Sequence, residues 1–258
     1  IHTVAKVHQS DTYEIGGAES YQKVNRDLTI QLAQHAAKSG VKRFVFISSI
    51  KVNGEFTEEN NAFNESFSPP STKDAYAYSK YEAELALLEL HKNSDMEVVI
   101  VRPPLVYGPG VKGNFERLIK FSKLNIPILL PNIKNKRSLI AIDNLVGFIM
   151  HCANYDKTPQ AAGEIYLISD GEDISTIDLI KKLANVSETP TKIWLLPRFL
   201  NPIIFFLFSK KQIFGKLFRS LIIDSTKAKE HLDWSSEVSM EQQFNAMFAK
   251  KREGRHDI

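Results

Sequence analysis

Two side chains whose types suit proton transfer, Tyr76 and Lys80, stand four residues apart in the sequence. Residues four apart on a helix share one face, so a helix at this place brings the phenol and the ammonium together. A neighbouring positive charge favours the phenolate form of a tyrosine. The spacing therefore indicates a general acid/base pair, although a chain with eight tyrosines also produces such pairs by chance.

A third polar group, Ser49, ends the apolar run RFVFISS at residues 43–49. Continuous runs of β-forming residues are typical of strands in a parallel sheet that is covered on both faces. Ser49 thus lies at the carboxyl end of a predicted central strand, upstream of the helix that carries Tyr76. Its hydroxyl can share a substrate oxygen with the phenol, so three groups converge on one site.

The elements around these residues alternate between strands and helices. The patterns predict strands over residues 1–7, 43–49 and 97–103. Between them we expect a helix over 75–92 and one over 18–39, which ends at Gly40. The inward stripe of this second helix is predicted to be Val24, Leu28, Leu32 and Ala36. Parallel sheets of this kind bind ligands at the carboxyl ends of their strands, so the loops after Val7, Ser49 and Arg102 are the expected site.

The remainder of the chain predicts a smaller lobe. After Asn114 we expect a helix, short strands near 128–130 and 138–142, a helix from Asn144, a strand over 163–169, a helix from Ser175, and two helical stretches between Asp224 and Ala249. The predicted fold class is α/β, a Rossmann-like doubly wound parallel sheet whose first strands are missing, with a smaller, interwoven carboxyl-terminal lobe. We place the first domain at 1–112 and the second at 113–258, with residues 137–160 returning to the first.

Composition excludes several classes of protein. Hydrophobic residues make up 43% and charged residues 24% of the chain, which is ordinary for a soluble globular protein. The 33 basic and 30 acidic side chains are scattered, so no nucleic-acid surface is indicated. Cys152 is the single cysteine, which leaves no internal disulfide and no metal site, and favours a cytoplasmic setting. The chain opens without a signal-peptide pattern.

One segment, IWLLPRFLNPIIFFLF at 193–208, is unusually apolar. It is shorter than the roughly 20 apolar residues of a membrane span, and prolines and an arginine interrupt it. We predict a buried helix pair or the wall of a pocket. The alternative is a peripheral contact with a membrane surface.

Five segments in order resemble the extended short-chain dehydrogenases/reductases, in particular their nucleotide-sugar epimerase/dehydratase group. They are FVFISSIKVNGE (44–55), YAYSKYEAE (76–84), VVIVRPPLVYGPG (98–110), RSLIAIDNLV (137–146) and YLISDGEDIST (166–176). The resemblance covers nearly the whole chain, and several motifs in the correct order make it specific.

The resemblance implies roles for individual residues. Ser49 is the catalytic hydroxyl, Tyr76 the acid/base, and Lys80 its partner, which also holds the nicotinamide ribose. Further cofactor-binding positions are Ala5, His8, Asn25, Ser48, Pro103 and Val106. Asn25 is alternatively a polar residue on a solvated helix face, His8 a structural histidine, and the segment around Pro103 a buried strand end.

On the substrate side, the resemblance implies that Asn114 and Arg137 hold the diphosphate of a UDP-sugar, and it adds Asp224. Helix N-termini and arginines both suit phosphate oxygens. The alternatives are a helix N-cap for Asn114 and for Asp224, and a solvated charge for Arg137. The expected cofactor is NAD, with NADP as the alternative.

The sequence departs from the family at its beginning, where the Gly-rich turn of a dinucleotide-binding fold is missing. We therefore expect an amino-terminally truncated chain that by itself binds NAD weakly, with residues 1–7 as an apolar sheet edge. The activity of the chain alone is accordingly in doubt.

Three functions remain as hypotheses. The first is an enzyme acting at C4 of a UDP-sugar in surface-polysaccharide synthesis, either a UDP-N-acetylhexosamine 4-epimerase or a 4-keto-6-deoxy UDP-sugar reductase. The second is a non-catalytic cofactor sensor, which the presence of both Tyr76 and Lys80 disfavours. The third is an inactive remnant. A homodimer is left open.

Overall fold

The computed structural model describes residues 1–6, 17–58, 61–66, 74–123, 128–187, 192–197, 199, 201 and 218–253. The strands in chain order are β1 (Arg43–Ile47), β2 (Glu97–Arg102), β3 (Leu105–Tyr107), β4 (Ile128–Pro131), β5 (Leu139–Ala141), β6 (Ile165–Leu167) and β7 (Ile193–Leu196). The α-helices are α1 (Gly17–Tyr21), α2 (Leu28–Lys38), α3 (Ala75–Lys92), α4 (Asn114–Ser122), α5 (Ile142–Ala153), α6 (Thr176–Val186), α7 (Thr226–Leu232) and α8 (Met240–Glu253). A π-helical turn, Gln22–Asp27, joins α1 to α2.

The central sheet is parallel, with the strand order β1-β2-β6. Alternate side chains of its strands enter two separate cores, because successive residues of a strand point to opposite faces. Phe44, Phe46 and Val98 pack against α2 and α3 on one face. Val45 and Val99 pack against α5 and the α7 region on the other. A parallel sheet with helices on both faces confirms the predicted fold class.

A second group of elements packs around a core of its own. The strand pairs β3-β5 and β4-β7, both parallel, share this core with α4, α6 and α8. Helix α5 lies within residues 137–160, the segment that we expected to return to the first domain, and it packs on the central sheet. The division of the chain at residue 112 stays a prediction.

Helix α2 turns a different face inward from the one predicted. Leu28 and Leu32 are 45% and 44% exposed, whereas Thr29 and Ala33 are fully buried, so the predicted stripe is wrong by one residue. The cause is the π-helical turn, which holds more residues than an α-helical turn and shifts the faces that follow it. Thr29 is drawn inward because its hydroxyl lies 2.9 Å from Nε2 of the buried His2.

Two further expectations need correction. Residues 193–196 form the strand β7, not a buried helix, and the Trp194 side chain is 60% exposed. Most of residues 198–208 lie outside the described residues. The predicted first strand is reduced, within residues 1–6, to one parallel bridge between His2 and Phe46. Among the described helices, none has both the length and the apolar character that crossing a membrane requires.

Candidate active site

The loop after β1 brings Ser49 to the amino-terminal end of α3. The backbone N–H of Ser48 donates to the carbonyl of Val101 (2.8 Å), and that of Ile50 to the carbonyl of Pro103 (3.0 Å). These bonds fix the loop against the carboxyl end of β2. The Ser49 side chain shares a hydrogen bond with the Tyr76 phenol. The structure therefore brings together two of the three groups that the sequence singled out.

Lys80 follows Tyr76 by one turn of α3. Its side chain is 1% exposed, and its ammonium donates to the carbonyl of Ile47 (2.9 Å) and lies 4.4 Å from the centroid of the Phe46 ring. Burial removes the charge from water and lowers the pKa of Lys80 to about 8, although the carboxylate of Glu84 opposes this shift. The lysine is thus a buried cation whose described hydrogen-bond acceptor is neutral.

The pKa of the Tyr76 phenol is raised, contrary to the expectation that a nearby lysine favours its phenolate. Burial is the largest influence and raises the pKa of the phenol, while the hydrogen bond with Ser49 lowers it and the charge of Asp74 raises it. The same Asp74 caps α3 by accepting from the backbone N–H of Ala77 (3.0 Å). Tyr76 is therefore a neutral phenol at neutral pH in this structure, poised as a proton donor.

Asn25 is a fully buried hub within the π-helical turn, so the alternative of a solvated helix face is wrong. Its Oδ1 accepts from the backbone N–H of Lys6 (2.8 Å), and its Nδ2 donates to the carbonyl of Lys6 and to Ser79 Oγ (3.1 Å each). Ser79 Oγ in turn donates to the carbonyl of Tyr76 (2.8 Å). One amide thus connects residues 1–6, the π-helical turn and α3.

The other predicted cofactor positions are unevenly placed. Ala5 precedes Lys6 and so lies at the junction that Asn25 makes. Ser48, in the loop after β1, and Pro103, directly after β2, are both buried, and backbone hydrogen bonds join the two segments at the carboxyl edge of the sheet. Val106 is half-buried on β3. His8 lies outside the described residues.

The three residues predicted to bind the substrate lie in different elements of the structure. Arg137 pairs through its backbone with Ile174 and Leu221, its Nη1 donates to the carbonyl of Arg219 (3.0 Å), and burial lowers the pKa of its guanidinium. Asn114 is the first residue of α4; its side chain lies outside the description.

Asp224 lies apart from the predicted catalytic residues. Its carboxylate accepts from the backbone N–H of Thr226 (2.9 Å), the first residue of α7. The N-cap of α7 is Ser225, so the alternative of an N-cap at Asp224 is wrong by one residue. The same residue lines a separate polar cleft together with Asn64, Glu65 and Lys227.

Sequence reasoning missed a buried ion pair behind Lys80. Arg102, at the end of β2, donates from Nη2 and Nε to the carboxylate of Glu84 (2.5 and 2.9 Å) and from Nη1 to Oδ1 of Asn53 (3.0 Å). Asn53 follows the loop of Ser49, so the pair joins that loop, α3 and β2. Two signals could have found it: an arginine closing an apolar strand, and a glutamate four residues after Lys80.

A second missed hub is Asp170, at the end of the segment after β6. Its carboxylate accepts from the hydroxyl of Tyr107 (2.7 Å), the backbone N–H of Ala141 (3.0 Å) and the side chain of Asn144 (2.7 Å). Burial raises its pKa, and these hydrogen bonds oppose the rise. Asp170 thus fixes the carboxyl ends of β3 and β5 to the start of α5. Among the described residues, no group of three His, Cys, Asp or Glu side chains could hold a metal ion.

Comparison with known proteins points to the family that the sequence resembles. The "UDP-glucose 4-epimerase" of Vibrio cholerae is 40% identical over 253 residues, which are 95% of this chain and 74% of the relative. A solved UDP-glucuronic acid 4-epimerase from Bacillus cereus in complex with NAD superposes with a TM-score of 0.71 at 23% identity, over 92% of this chain and 70% of that one. The UDP-glucose 4-epimerase of Thermotoga maritima with UDP-glucose gives 0.68 at 20% identity, over 93% and 73%. Residues 1–169 match the NAD dependent epimerase/dehydratase family, and the chain belongs to that family.

Proposed function

We propose that the protein catalyses NAD-dependent oxidation and reduction at C4 of a UDP-sugar and works as a UDP-N-acetylhexosamine 4-epimerase. One observation carries the proposal, namely the hydrogen bond between Ser49 and Tyr76, with the buried Lys80 one helical turn further along α3. The similarity to the Vibrio cholerae UDP-glucose 4-epimerase supports a sugar nucleotide as the substrate class.

The residues at the carboxyl edge of the sheet fit a dinucleotide. Within the described part of the chain, the buried hydroxyl of Ser48 has no hydrogen-bond partner, and one of the three N–H donors of Lys80 is used, on the carbonyl of Ile47. Buried polar groups of this kind are normally satisfied, so a polar ligand is expected here. Lys80 and Ser48 would hold the nicotinamide ribose side, with Pro103 and Val106 against the ring. When bound, NAD supplies the acceptor for the hydride that leaves C4.

Tyr76 and Ser49 act on the oxygen at C4. Ser49 donates a hydrogen bond to this oxygen and fixes its position. In its phenolate form, Tyr76 takes the hydroxyl proton when the sugar is oxidised to the 4-keto form, and as the resulting phenol it returns the proton when the keto group is reduced. Burial favours the neutral phenol, which is the form that the reduction requires. Epimerisation follows when the keto sugar presents its other face before the proton returns.

Arg137 is proposed to hold the diphosphate of the substrate. A partly buried guanidinium makes strong charge-assisted hydrogen bonds with phosphate oxygens, and burial already disfavours the charge of Arg137 in the free protein. We expect Arg137→Ala to weaken UDP-sugar affinity by a far larger factor than NAD affinity. Isothermal titration with each ligand measures the two losses, and equal losses would contradict this assignment by pointing to a folding defect.

The decisive experiment gives the enzyme UDP-N-acetylglucosamine, and in parallel UDP-glucose, with catalytic NAD. The proposal expects the C4 epimer of the acetylated sugar without net consumption of the cofactor. Tyr76→Phe is the control and should lower turnover by roughly 10²–10⁴ while leaving UDP binding intact. If no epimer forms, and a 4-keto-6-deoxy UDP-sugar oxidises NAD(P)H stoichiometrically, the reductase replaces the epimerase.

A further inference from the structure

Lys51 is a charged side chain beside the proposed catalytic groups. It lies in the 3₁₀-helical turn Ile50–Val52 that follows Ser49. Its ammonium is 3.3 Å from the carboxylate of Asp74 and 5.6 Å from the centroid of the Tyr76 ring. We propose that Lys51 is a positioning residue of the site, which keeps the Ser49 hydroxyl against the Tyr76 phenol. This role rests on the proposed function, because it belongs to the same reaction.

Lys51 joins Ser49 to Asp74 through two separate groups. Its backbone N–H donates to the Ser49 hydroxyl (3.3 Å), which caps the 3₁₀-helical turn. Its ammonium donates to Oδ2 of Asp74 (3.3 Å). The same carboxylate caps α3, because its Oδ1 accepts from the backbone N–H of Ala77 (3.0 Å). Lys51 therefore connects the hydroxyl of Ser49 to the first turn of the helix that carries Tyr76.

Other contacts hold the Ser49 loop and α3 at different places. The backbone N–H groups on either side of Ser49 donate to carbonyls at the carboxyl end of β2, which fixes the loop on the sheet. Lys80 bonds α3 to the end of β1 one helical turn after Tyr76. The ion pair of Lys51 acts instead at the start of α3, two residues before Tyr76. It thus joins the loop and the helix beside the hydrogen bond that the reaction uses.

The ring of Tyr76 is held by side chains from two other elements. The ammonium of Lys51 lies within the range of a cation–π contact, and the ring of Tyr21 meets it edge-on with the centroids 6.1 Å apart. Functional groups keep a productive geometry when packing and hydrogen bonds lock the side chains that carry them. Precision matters here, because a displacement of about 1 Å at a reacting group can lower a rate by about 10²-fold.

The Lys51-Asp74 pair is too exposed to be a main source of stability. The two side chains are 28% and 20% exposed, and such pairs contribute little to the free energy of unfolding. A second carboxylate, that of Glu55, lies 3.7 Å from the ammonium. We therefore expect that the loss of Lys51 slows the reaction and leaves the urea midpoint of unfolding nearly unchanged.

The kinetic experiment compares Lys51→Met with Lys51→Arg at saturating NAD. Lys51→Met should lower kcat about tenfold or more, because the groups that Lys51 positions act in the chemical step. Its KM for the UDP-sugar should change less than about twofold. Lys51→Arg keeps the positive charge and should retain most of the parent's turnover. A raised KM with an unchanged kcat would assign Lys51 to substrate binding and overturn the proposal.

Lys227→Met is the matched control. Lys227 is also 28% exposed, pairs with Glu164 at 2.7 Å, and lies 5.0 Å from the centroid of the Tyr166 ring. It therefore has the same kind of surroundings at a different place, and its loss should leave kcat unchanged. Equal losses of kcat in Lys51→Met and Lys227→Met would contradict a specific role for Lys51.

Double variants show whether Lys51 acts through Ser49 and Asp74. In a Ser49→Ala background, which lacks the hydroxyl, Lys51→Met should change kcat by less than about twofold, because residues that act as a unit are not additive. The same small effect is expected in an Asp74→Asn background, where the amide oxygen still caps α3 and the ion pair is already lost. A full tenfold loss in either background would overturn the proposal.

A spectroscopic readout distinguishes this role from the proposed function. Labelling tyrosine with carbon-13 at Cζ gives a nuclear magnetic resonance signal for each of the eight tyrosines, and the signal missing from Tyr76→Phe belongs to Tyr76. Ser49→Ala shows where this signal lies without the Ser49 hydrogen bond. Lys51→Met should move the Tyr76 signal toward that position, and Lys51→Arg should leave it near the parent's.

The signal of Tyr76 needs no turnover, so the two proposals fail separately. An unmoved Tyr76 signal in Lys51→Met overturns the positioning role, whether or not the parent converts a UDP-sugar. An inactive parent in which Lys51→Met moves the signal as expected supports the contact and refutes the proposed function alone.

Discussion

Lys80 and Arg102 are two cations buried beside the same helix, and their surroundings are opposite. Arg102 is fully buried and meets the carboxylate of Glu84 through two hydrogen bonds. Lys80, one helical turn before Glu84, is also buried, but its described hydrogen bond goes to the neutral carbonyl of Ile47. Charge is thus neutralised at Arg102 and lacks a hydrogen-bonded counter-ion at Lys80, one helical turn nearer to Tyr76.

The different surroundings of Lys80 and Arg102 indicate different roles, one in function and one in stability. A buried charge without a partner is costly, and such groups with shifted pKa values cluster at functional sites. A buried pair that is fully hydrogen-bonded holds the elements together, and its loss leaves one charge stranded. We therefore expect that replacing Lys80 harms turnover and spares the fold, whereas replacing a member of the Glu84-Arg102 pair harms the fold.

The largest expected effect is on turnover in Lys80→Met. We expect a loss of roughly 10²–10⁴ in kcat, because the ammonium that we propose to hold the nicotinamide ribose beside Tyr76 is removed. Steady-state kinetics with saturating NAD and UDP-sugar measure this loss, and circular dichroism checks the fold. A variant that retains half of the parent's turnover would remove Lys80 from the proposed machinery.

The next effect is on stability in Glu84→Gln. The free energy of unfolding should fall by about 3–5 kcal/mol, because the guanidinium of Arg102 stays buried without its counter-ion. Urea denaturation provides the value. Glu82→Gln is the matched control on the same helix; Glu82 forms a partly exposed pair with Arg26 at 3.5 Å, so its loss should cost less than about 1 kcal/mol. Similar costs for the two variants would contradict the structural role that we assign to the buried Glu84-Arg102 pair.

The double variant Glu84→Gln with Arg102→Met extends this test. Removing both charges should recover part of the lost stability, because no ion is then left unpaired in the interior. If the double variant is as unstable as the sum of the two single variants, the pair does not act as a unit.

The smallest expected effect is the pH dependence that Lys80 imposes on stability. The pKa of Lys80 is about 8 in the folded protein, against an ordinary value of 10.5. Between pH 8 and pH 10.5 the unfolded chain therefore binds more protons than the folded protein. The cost of burying the charge is therefore complete below pH 8 and is relieved as pH rises to 10.5. At pH 7, Lys80→Met should be more stable than the parent by roughly 3 kcal/mol.

Urea denaturation of parent and variant from pH 7 to 10.5 measures this convergence. The neighbouring His2 does not confuse the window, because burial and, secondarily, the charge of Lys80 lower its pKa from 6.5. A constant difference between the two proteins over that range would show that the ammonium is not depressed by burial.

Local sequence patterns were sufficient to predict the elements that carry the proposed catalytic groups. Helix α3 spans the predicted residues, because Asp74 caps its start and the pattern that follows is regular. The Ser49-Tyr76 contact also follows from strand and helix ends alone. The resemblance to the family, which the comparisons confirm, rested on the same segments.

What the sequence could not show depends on partners far apart along the chain. The face of α2 is set by contacts from Thr29 to His2 and from Asn25 to Lys6. The apolar run at 193–196 suits a strand or a helix equally, and pairing with Ile128–Pro131 decides between them. The partners Glu84 and Arg102 meet only when α3 lies against β2.

The π-helical turn Gln22–Asp27 has a consequence for anyone who edits this gene. Deleting a single codon within the turn would restore ordinary α-helical winding from Gly17 to Lys38, and the isolated helix would be more regular as a result. The same deletion would rotate one half of the helix against the other by about 100°. Asn25 would lose Lys6, or Thr29 would lose His2. The widened turn is therefore an insertion that the surrounding contacts preserve, and a design method that rewards ideal helices would remove it first.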